Sequence, residues 1–361
     1  MKKLNLLFVT LCSTLLGHAT ILTVDNNIDS PAQYAVLQTA VDAASDGDTI
    51  YVVGSPTIYA NTTITKKIHL IGDGYNTNKQ DPAISKVNNI LLRTSASTTS
   101  TGSTIEGLEI SSLSIQGNSY SSSNTKFIDS VTVRFCNITY SLVLNKYVSY
   151  ITINNNIVYQ ILNIATTSAA QGQSHIVAKN NIIRSNSYVG NAYHFATFSN
   201  NNFISTVTTS QVSKKVNFNN NIFHGMSPNH YATSQDGNIY TNNISYSTSN
   251  NVFDITFPNS GSGNLEGVDP LFVSKATLTA FDAMDDYNLQ AGSPALNAGS
   301  DGTDIGITGG TSPWQEDGAS TSGFMYGREA SIPQVNEVNI QNSNLPIGGN
   351  LIIQVKGQTN P

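Results

Sequence analysis

Between residues 107 and 260 one short pattern keeps returning: Phe135-Cys136-Asn137-Ile138, Asn155-Asn156-Ile157, Asn180-Asn181-Ile182, Asn201-Asn202-Phe203, Asn220-Asn221-Ile222 and Asn242-Asn243-Ile244. The last asparagines fall at 137, 156, 181, 202, 221 and 243, giving intervals of 19, 25, 21, 19 and 22 and a mean near 21. A period of this size, made of short alternating strands and polar turns, is the mark of a solenoid in which each repeat is one coil. Ile151/Ile153, Ile176/Ala178 and Val216/Phe218 precede three of the turns with the period-two spacing of a strand that shows one face to a core. The second member of each pair lies four residues before Ile157, Ile182 or Ile222, whereas Val133 to Ile138 and Phe198 to Phe203 span five. The turns at 137 and 202 are therefore expected to carry an extra residue.

Asparagine suits such a turn because it tolerates the left-handed backbone conformation and its amide both donates and accepts. Stacked one coil above the next at ~4.8 Å, these amides can bond in a ladder, where charged groups would repel. Asn137, Asn156, Asn181, Asn202, Asn221 and Asn243 are the expected members, in a structural rather than ligand-binding role. This accounts for a composition of 43 Asn in 361 residues with only 11% charged residues. The hydrophobic fraction of 39% is enough for a core, which excludes charge-rich disorder. A net charge of −6 with four arginines argues against a nucleic-acid or anionic-membrane partner.

Lys2 and Lys3 precede an apolar run from Leu4 to Leu16, followed by Gly17-His18-Ala19. This pattern predicts a secretory signal peptide over residues 1–19, cut after Ala19, and a secreted or cell-surface protein. Its removal leaves Cys136 as the only cysteine, so no intrachain disulfide is expected. No later apolar stretch is long enough to span a bilayer. Ser30-Pro31-Ala32-Gln33 reads as a capping box that opens a helix with Tyr34, Leu37, Val41 and Ala44 on one face, ended by Gly47. Strands follow at 49–53, 62–65 and 67–71, the last two read as a pair. A short amphipathic helix ahead of strands suggests a lid over one end of a β structure.

On these residues the chain resembles the right-handed parallel β-helix proteins of the pectate-lyase-like superfamily. Asp46-Gly47-Asp48-Thr49-Ile50-Tyr51-Val52 and Ile68-His69-Leu70-Ile71-Gly72 look like that family's first coils. Val268-Asp269-Pro270-Leu271-Phe272-Val273, Asp286-Tyr287-Asn288-Leu289, Gly292 to Gly299 and Asp304-Ile305-Gly306 are similar to the closing segment of secreted bacterial members. The resemblance implies an all-β, single-stranded solenoid of about a dozen coils over residues 20–310 with an N-terminal capping helix, a rod roughly 60 Å long. Residues 311–361 differ in character, with Trp314 and two strand-like runs at 335–340 and 351–355, and read as a β-hairpin or anchor stub.

Enzymes of that superfamily gather ionisable groups on one face. Here Asp236 is the only acidic residue between 130 and 253, so a calcium cluster in the central coils is not expected, and no cofactor or metal is called. Asp285/Asp286 and Glu106/Glu109 read as solvated turns or edges. Three residues after each ladder asparagine come Tyr140, Tyr159, Arg184, Ser205, His224 and Tyr246. If these form an outward column, Tyr140, Tyr159, Arg184, His224 and Tyr246 could line a shallow groove for a polysaccharide or cell-surface glycan. His175, Lys179, Lys214 and Lys215 are the further cations nearby, while His194 and His230 are isolated. Lys179 and Arg184 share a coil and are the weak catalytic candidates, as base and carboxylate clamp. The sequence thus favours a non-catalytic binding or structural rod with a glycan ligand; a metal-independent polysaccharide lyase and an adhesin without a small ligand stay open.

Overall fold

The computed structural model describes residues 19–75, 83–121, 124–163, 175–185, 188–189, 195–205, 212–213, 215–228, 237–276, 281–283, 285–314, 333–340 and 352–359. The signal-peptide run, His194, Lys214, His230 and Asp236 lie outside these residues.

The chain winds into a parallel β-solenoid. Its longest regular face is an eleven-stranded sheet in chain order: Ile21–Val24, Thr49–Val52, His69–Gly72, Thr104–Glu106, Thr132–Arg134, Ile151–Asn154, His175–Lys179, Phe195–Ser199, Val216–Asn219, Ile239–Thr241 and Ser260–Ser262. A second, thirteen-stranded sheet starts with Thr62–Ile64, Lys86–Arg93, Glu109–Gln116 and Asn137–Leu144. It then divides, one branch continuing as Ile157–Val158, Ile182–Ile183, Asn202–Ile204, Ile222–His224, Ile244–Tyr246 and Leu265–Glu266. The strands predicted over 62–65 and 67–71 do not pair with each other: one enters each sheet. Alternation in the sequence becomes alternation in burial, so Ile105, Val133, Ile153, Ala178, Phe198, Phe218 and Tyr240 form one inward column. Phe198, Phe218 and Tyr240 follow one another at ring-centroid separations of 5.6 and 5.3 Å. Phe253 plugs the column's end against Tyr240 and Phe223.

The helix α1 spans Leu37–Ala43 and buries Leu37, Ala40 and Val41. It starts later than expected: Val36 is its extended N-cap residue and makes no side-chain cap. Ser30 Oγ instead accepts from Ala32 N, and Gln33 Oε1 accepts from Thr23 N. Tyr34 accepts from Asp25 N and donates its own N–H to Thr23 O. Part of the expected capping box is thus spent on the strand Ile21–Val24, where Gln33 and Tyr34 satisfy backbone groups of Thr23 and Asp25.

The asparagine ladder is real, and its register corrects two expectations. Asn156 Oδ1 accepts from Cys136 N at 2.9 Å, and Asn181 Oδ1 accepts from both the backbone and side-chain N–H of Asn156 at 3.0 Å. The same double contact repeats from Asn181 to Asn201, Asn201 to Asn221, Asn221 to Asn243 and Asn243 to Asn264. Asn137 and Asn202 are not members. Both stand one residue further on, paired with Ile157 and with Ile182 and Ile222 on the second sheet. Neither turn carries an extra residue: from the inward strand residue to the first residue of the next face is four in each coil of the ladder, 133 to 137 and 198 to 202 included. Asn200-Asn201-Asn202 is a triplet whose middle member holds the ladder slot, and Cys136 holds it in the coil before Asn156.

The residue ahead of each slot has a different task. Phe135, Asn155, Asn180, Asn200, Asn220 and Asn242 all adopt φ between 50° and 56°, and Gly263 adopts 70°. This left-handed residue turns the chain from one sheet to the next, and asparagine is among the few non-glycine residues that tolerate it. The two abilities that make asparagine suited to such a turn are divided between neighbours.

Asn201→Ala removes the acceptor of Asn181 N and Nδ2 and the donor to Ala178 O, Ser199 O and Asn221 Oδ1, all buried but Ser199. Leaving Asn181 unsatisfied should cost about 2–5 kcal/mol in urea unfolding. Asn217→Ala, on the exposed face, should stay within about 0.5 kcal/mol of the parent.

Candidate functional site

The column expected to form a groove has to be re-registered in the same way. Ile157, Ile182, Asn202, Ile222 and Ile244 are aligned across the second sheet, so two residues later the true column is Thr139, Tyr159, Arg184, Ile204, His224 and Tyr246. Tyr140 and Ser205 are each one residue beyond it; Tyr140 points to solvent at 62% exposure, while Ser205 is buried. Tyr159 is exposed at 38%, whereas His224 is only 2% exposed.

What covers the column is the chain itself. After its last coil the polypeptide forms an antiparallel pair, Phe272–Ser274 with Asp286–Leu289, and then a strap over residues 295–314 that runs back along the rod. Ile157, Ile182, Ile204, Ile222 and Ile244 face outward from the solenoid, yet are buried beneath Phe272, Tyr287, Ala295, Ile305, Ile307 and Trp314 as a second core. Trp314 therefore belongs to the rod and not to the following extension.

The left-handed asparagines fasten this strap. Asn242 Nδ2 donates to Ala298 O, Asn220 Oδ1 accepts from Ser300 N and Oγ, and Asn200 Nδ2 donates to Asp304 O. Asn180 Nδ2 donates to Ile307 O and Gly309 O, and Asn155 Nδ2 to Ser312 O. Trp314 Nε1 donates to Asn180 O. Gly306 permits the close approach: its φ is +90°, and a Cβ there would meet Asn202 Oδ1 at 2.5 Å and Ile222 Cδ1 at 2.6 Å. Nothing in the asparagine spacing alone announces the strap, but the outward isoleucines at 157, 182, 222 and 244 required a cover.

The charged candidates are drawn into the same contact. The Arg184 guanidinium sits 4.6 Å from the Phe281 ring centroid, and burial holds its pKa below the ordinary value. Lys179 Nζ donates to Thr311 Oγ1 at 3.2 Å. Base and clamp candidates are thus engaged by different parts of the closing segment. His224 packs between Tyr246 and Phe272, and its Nδ1 is buried without a partner among the described residues. Burial and the nearby Lys275 push its pKa down to about 4, against smaller opposing effects of Asp269 and Asp285. Two groups read as solvated are in fact buried in ion pairs: Glu106 meets Arg134 Nη2 at 2.7 Å, and Asp285 meets Lys275 Nζ at 2.9 Å.

The face that stays open is that of the eleven-stranded sheet. Thr104, Thr132, Thr152, Val177, Thr197, Asn217 and Ile239 follow one another outward, all at least part-exposed. Beside them Tyr150 and His175 are stacked at 4.8 Å and 4°, with Phe195 a further 6.1 Å along. Tyr150 and Phe195 are 60% and 57% exposed. Because the Tyr150 and His175 faces meet each other, this stripe shows mainly ring edges and the tyrosine hydroxyl to solvent. Among the described residues no group of three or more His, Cys, Asp or Glu could hold a metal ion, and no helix is long and apolar enough to cross a membrane.

Comparison of the sequence with protein-family models and with characterised proteins gives no match.

Two outcomes follow from the covered column. The unfolded chain takes up the His224 proton near its ordinary value of 6.5, whereas the folded chain resists until about 4. Stability should therefore be full above pH 6.5, fall by on the order of 3 kcal/mol as pH drops toward 4, and lose nothing more from this group below that. Urea titrations across pH 4–7.5 read this, and His224→Phe should flatten the slope. Gly306→Val should lift the strap, with destabilisation of about 2 kcal/mol or more and faster proteolysis between residues 295 and 314.

Proposed function

We propose that the chain is an exported β-helix rod that works at or outside the cell surface as a non-catalytic binding or structural element, with a polysaccharide or cell-surface glycan as its ligand. The leader pattern Lys2-Lys3, Leu4 to Leu16 and Gly17-His18-Ala19 supports export. The parallel solenoid agrees with the resemblance to secreted bacterial members of the pectate-lyase-like superfamily, which is an argument by fold and not by site.

The observation that carries the reading is the outward face of the eleven-stranded sheet. Thr132 and Thr152 on one side of Val177, and Thr197 and Asn217 on the other, set hydroxyl and amide groups along the face in pairs at the strand spacing of ~4.8 Å, without ionised groups among them. Such a row suits a hydroxyl-rich polymer lying along the rod, each hydrogen bond contributing about 0.5–1.5 kcal/mol. Tyr150, His175 and Phe195 provide an apolar border. This reading favours that face over the column of Tyr159, Arg184, His224 and Tyr246, where the closing segment packs on Arg184 and His224.

The test is affinity electrophoresis of the mature protein against a panel of neutral and uronate polysaccharides, with ultraviolet monitoring for unsaturated products. Retardation by at least one polymer, abolished by Thr152→Arg combined with Thr197→Arg and unchanged in Lys179→Ala, is the expected result. Product formation lost in Lys179→Ala would establish a lyase instead. Failure of every polymer to retard the protein would leave the adhesin reading.

A further inference from the structure

The antiparallel pair that closes the rod holds a lysine and an aspartate in an unusual setting. Lys275 Nζ lies 2.9 Å from Asp285 Oδ2, with side chains only 7% and 1% exposed. Around them are rings: Lys275 Nζ is 5.5 Å from the Tyr287 centroid, and Tyr287 in turn packs on Phe272 at 5.1 Å and Phe281 at 6.1 Å. Both ends of the carboxylate are held. Ala276 N donates to Oδ1 at 2.8 Å, and the Tyr287 hydroxyl donates to Oδ2 at 3.4 Å.

Desolvation penalises both charges of a buried ion pair. Proton transfer across the 2.9 Å contact converts ammonium and carboxylate into amine and carboxylic acid, and a neutral lysine amine is a nucleophile. We propose that Lys275 and Asp285 condense spontaneously into an intramolecular amide that cross-links the closing pair. The Nζ–Cγ bond forms and the Cγ–Oδ2 bond breaks. Two of the three ammonium protons leave with Oδ2 as water, the third stays on the amide nitrogen, and Oδ1 remains as the carbonyl oxygen. Nothing is oxidised or reduced, and no co-reactant is needed. Ala276 N–H is placed to stabilise the charge that develops on Oδ1, and the Tyr287 hydroxyl to pass a proton to the departing oxygen. The product carries no charge, so the desolvation cost of the pair disappears with the reaction. The cross-link would fix Phe272 and Tyr287 over His224, where the second core begins.

The experiment is mass spectrometry of the full folded chain, first intact under denaturing conditions and then as proteolytic peptides. The expected mass is one water below that of the sequence, with a branched peptide joining the segments that contain Lys275 and Asp285. Lys275→Arg should restore the full mass, and Tyr287→Phe should slow cross-linking in a protein whose melting cooperativity shows it to be folded. A full-mass chain yielding separate, unmodified Lys275 and Asp285 peptides overturns the proposal. So does a water loss located on Asp285 alone, which marks a cyclic imide.

Discussion

The amide-to-amide hydrogen bond between Asn156, Asn181, Asn201, Asn221, Asn243 and Asn264 is the interaction on which the rest of the rod depends. At this corner the backbone leaves one sheet and enters another, and its N–H groups would otherwise be buried without partners. Each ladder asparagine accepts from the backbone of the coil before it and donates to a carbonyl of that coil's strand, as Asn221 does to Phe198 O. A neutral side chain that both donates and accepts is required in every coil. This requirement keeps charge out of the stack and fixes the separation between the inward columns of the two sheets.

The asparagines that precede five of the ladder slots, Asn155, Asn180, Asn200, Asn220 and Asn242, turn the chain and then reach outward to the strap. The solenoid consequently has two apolar layers, one inside the coils and one between the second sheet and the closing segment. The second layer decides where function can lie. It draws Arg184 onto Phe281 and His224 onto Phe272, and it leaves the eleven-stranded sheet as the long uncovered surface.

Much of this was legible in the sequence, for reasons that vary along the chain. The strands at 151–154, 176–178 and 216–218 show plain period-two alternation, and the repeat length made a parallel solenoid the natural reading. Register was harder. Counting back from the hydrophobe misplaces Asn137 and Asn202, because Cys136 can fill the slot and a triplet of asparagines hides its middle member. Asn264 escapes notice because glycine, and not asparagine, holds the left-handed position before it. A one-residue slip also turns a side chain to the other face, which is why Ser205 is buried, whereas Tyr140 stays in solvent where the register shifts between Ile138 and Ser141. The helix start at Ser30 fails for another reason: the edge of the first strand competes for the same polar groups. Burial of Glu106 and Asp285 depends on partners far along the chain or across a hairpin, and local composition carries no trace of them.

Native-state hydrogen exchange tests the ladder most directly, since it reports on each donor in place. The backbone and side-chain amide protons of Asn181, Asn201 and Asn221 should exchange only through global unfolding, with protection tracking denaturant stability, while the side-chain amide of exposed Asn217 exchanges orders of magnitude faster. Ladder protons that exchange as fast as those of Asn217 would contradict the account.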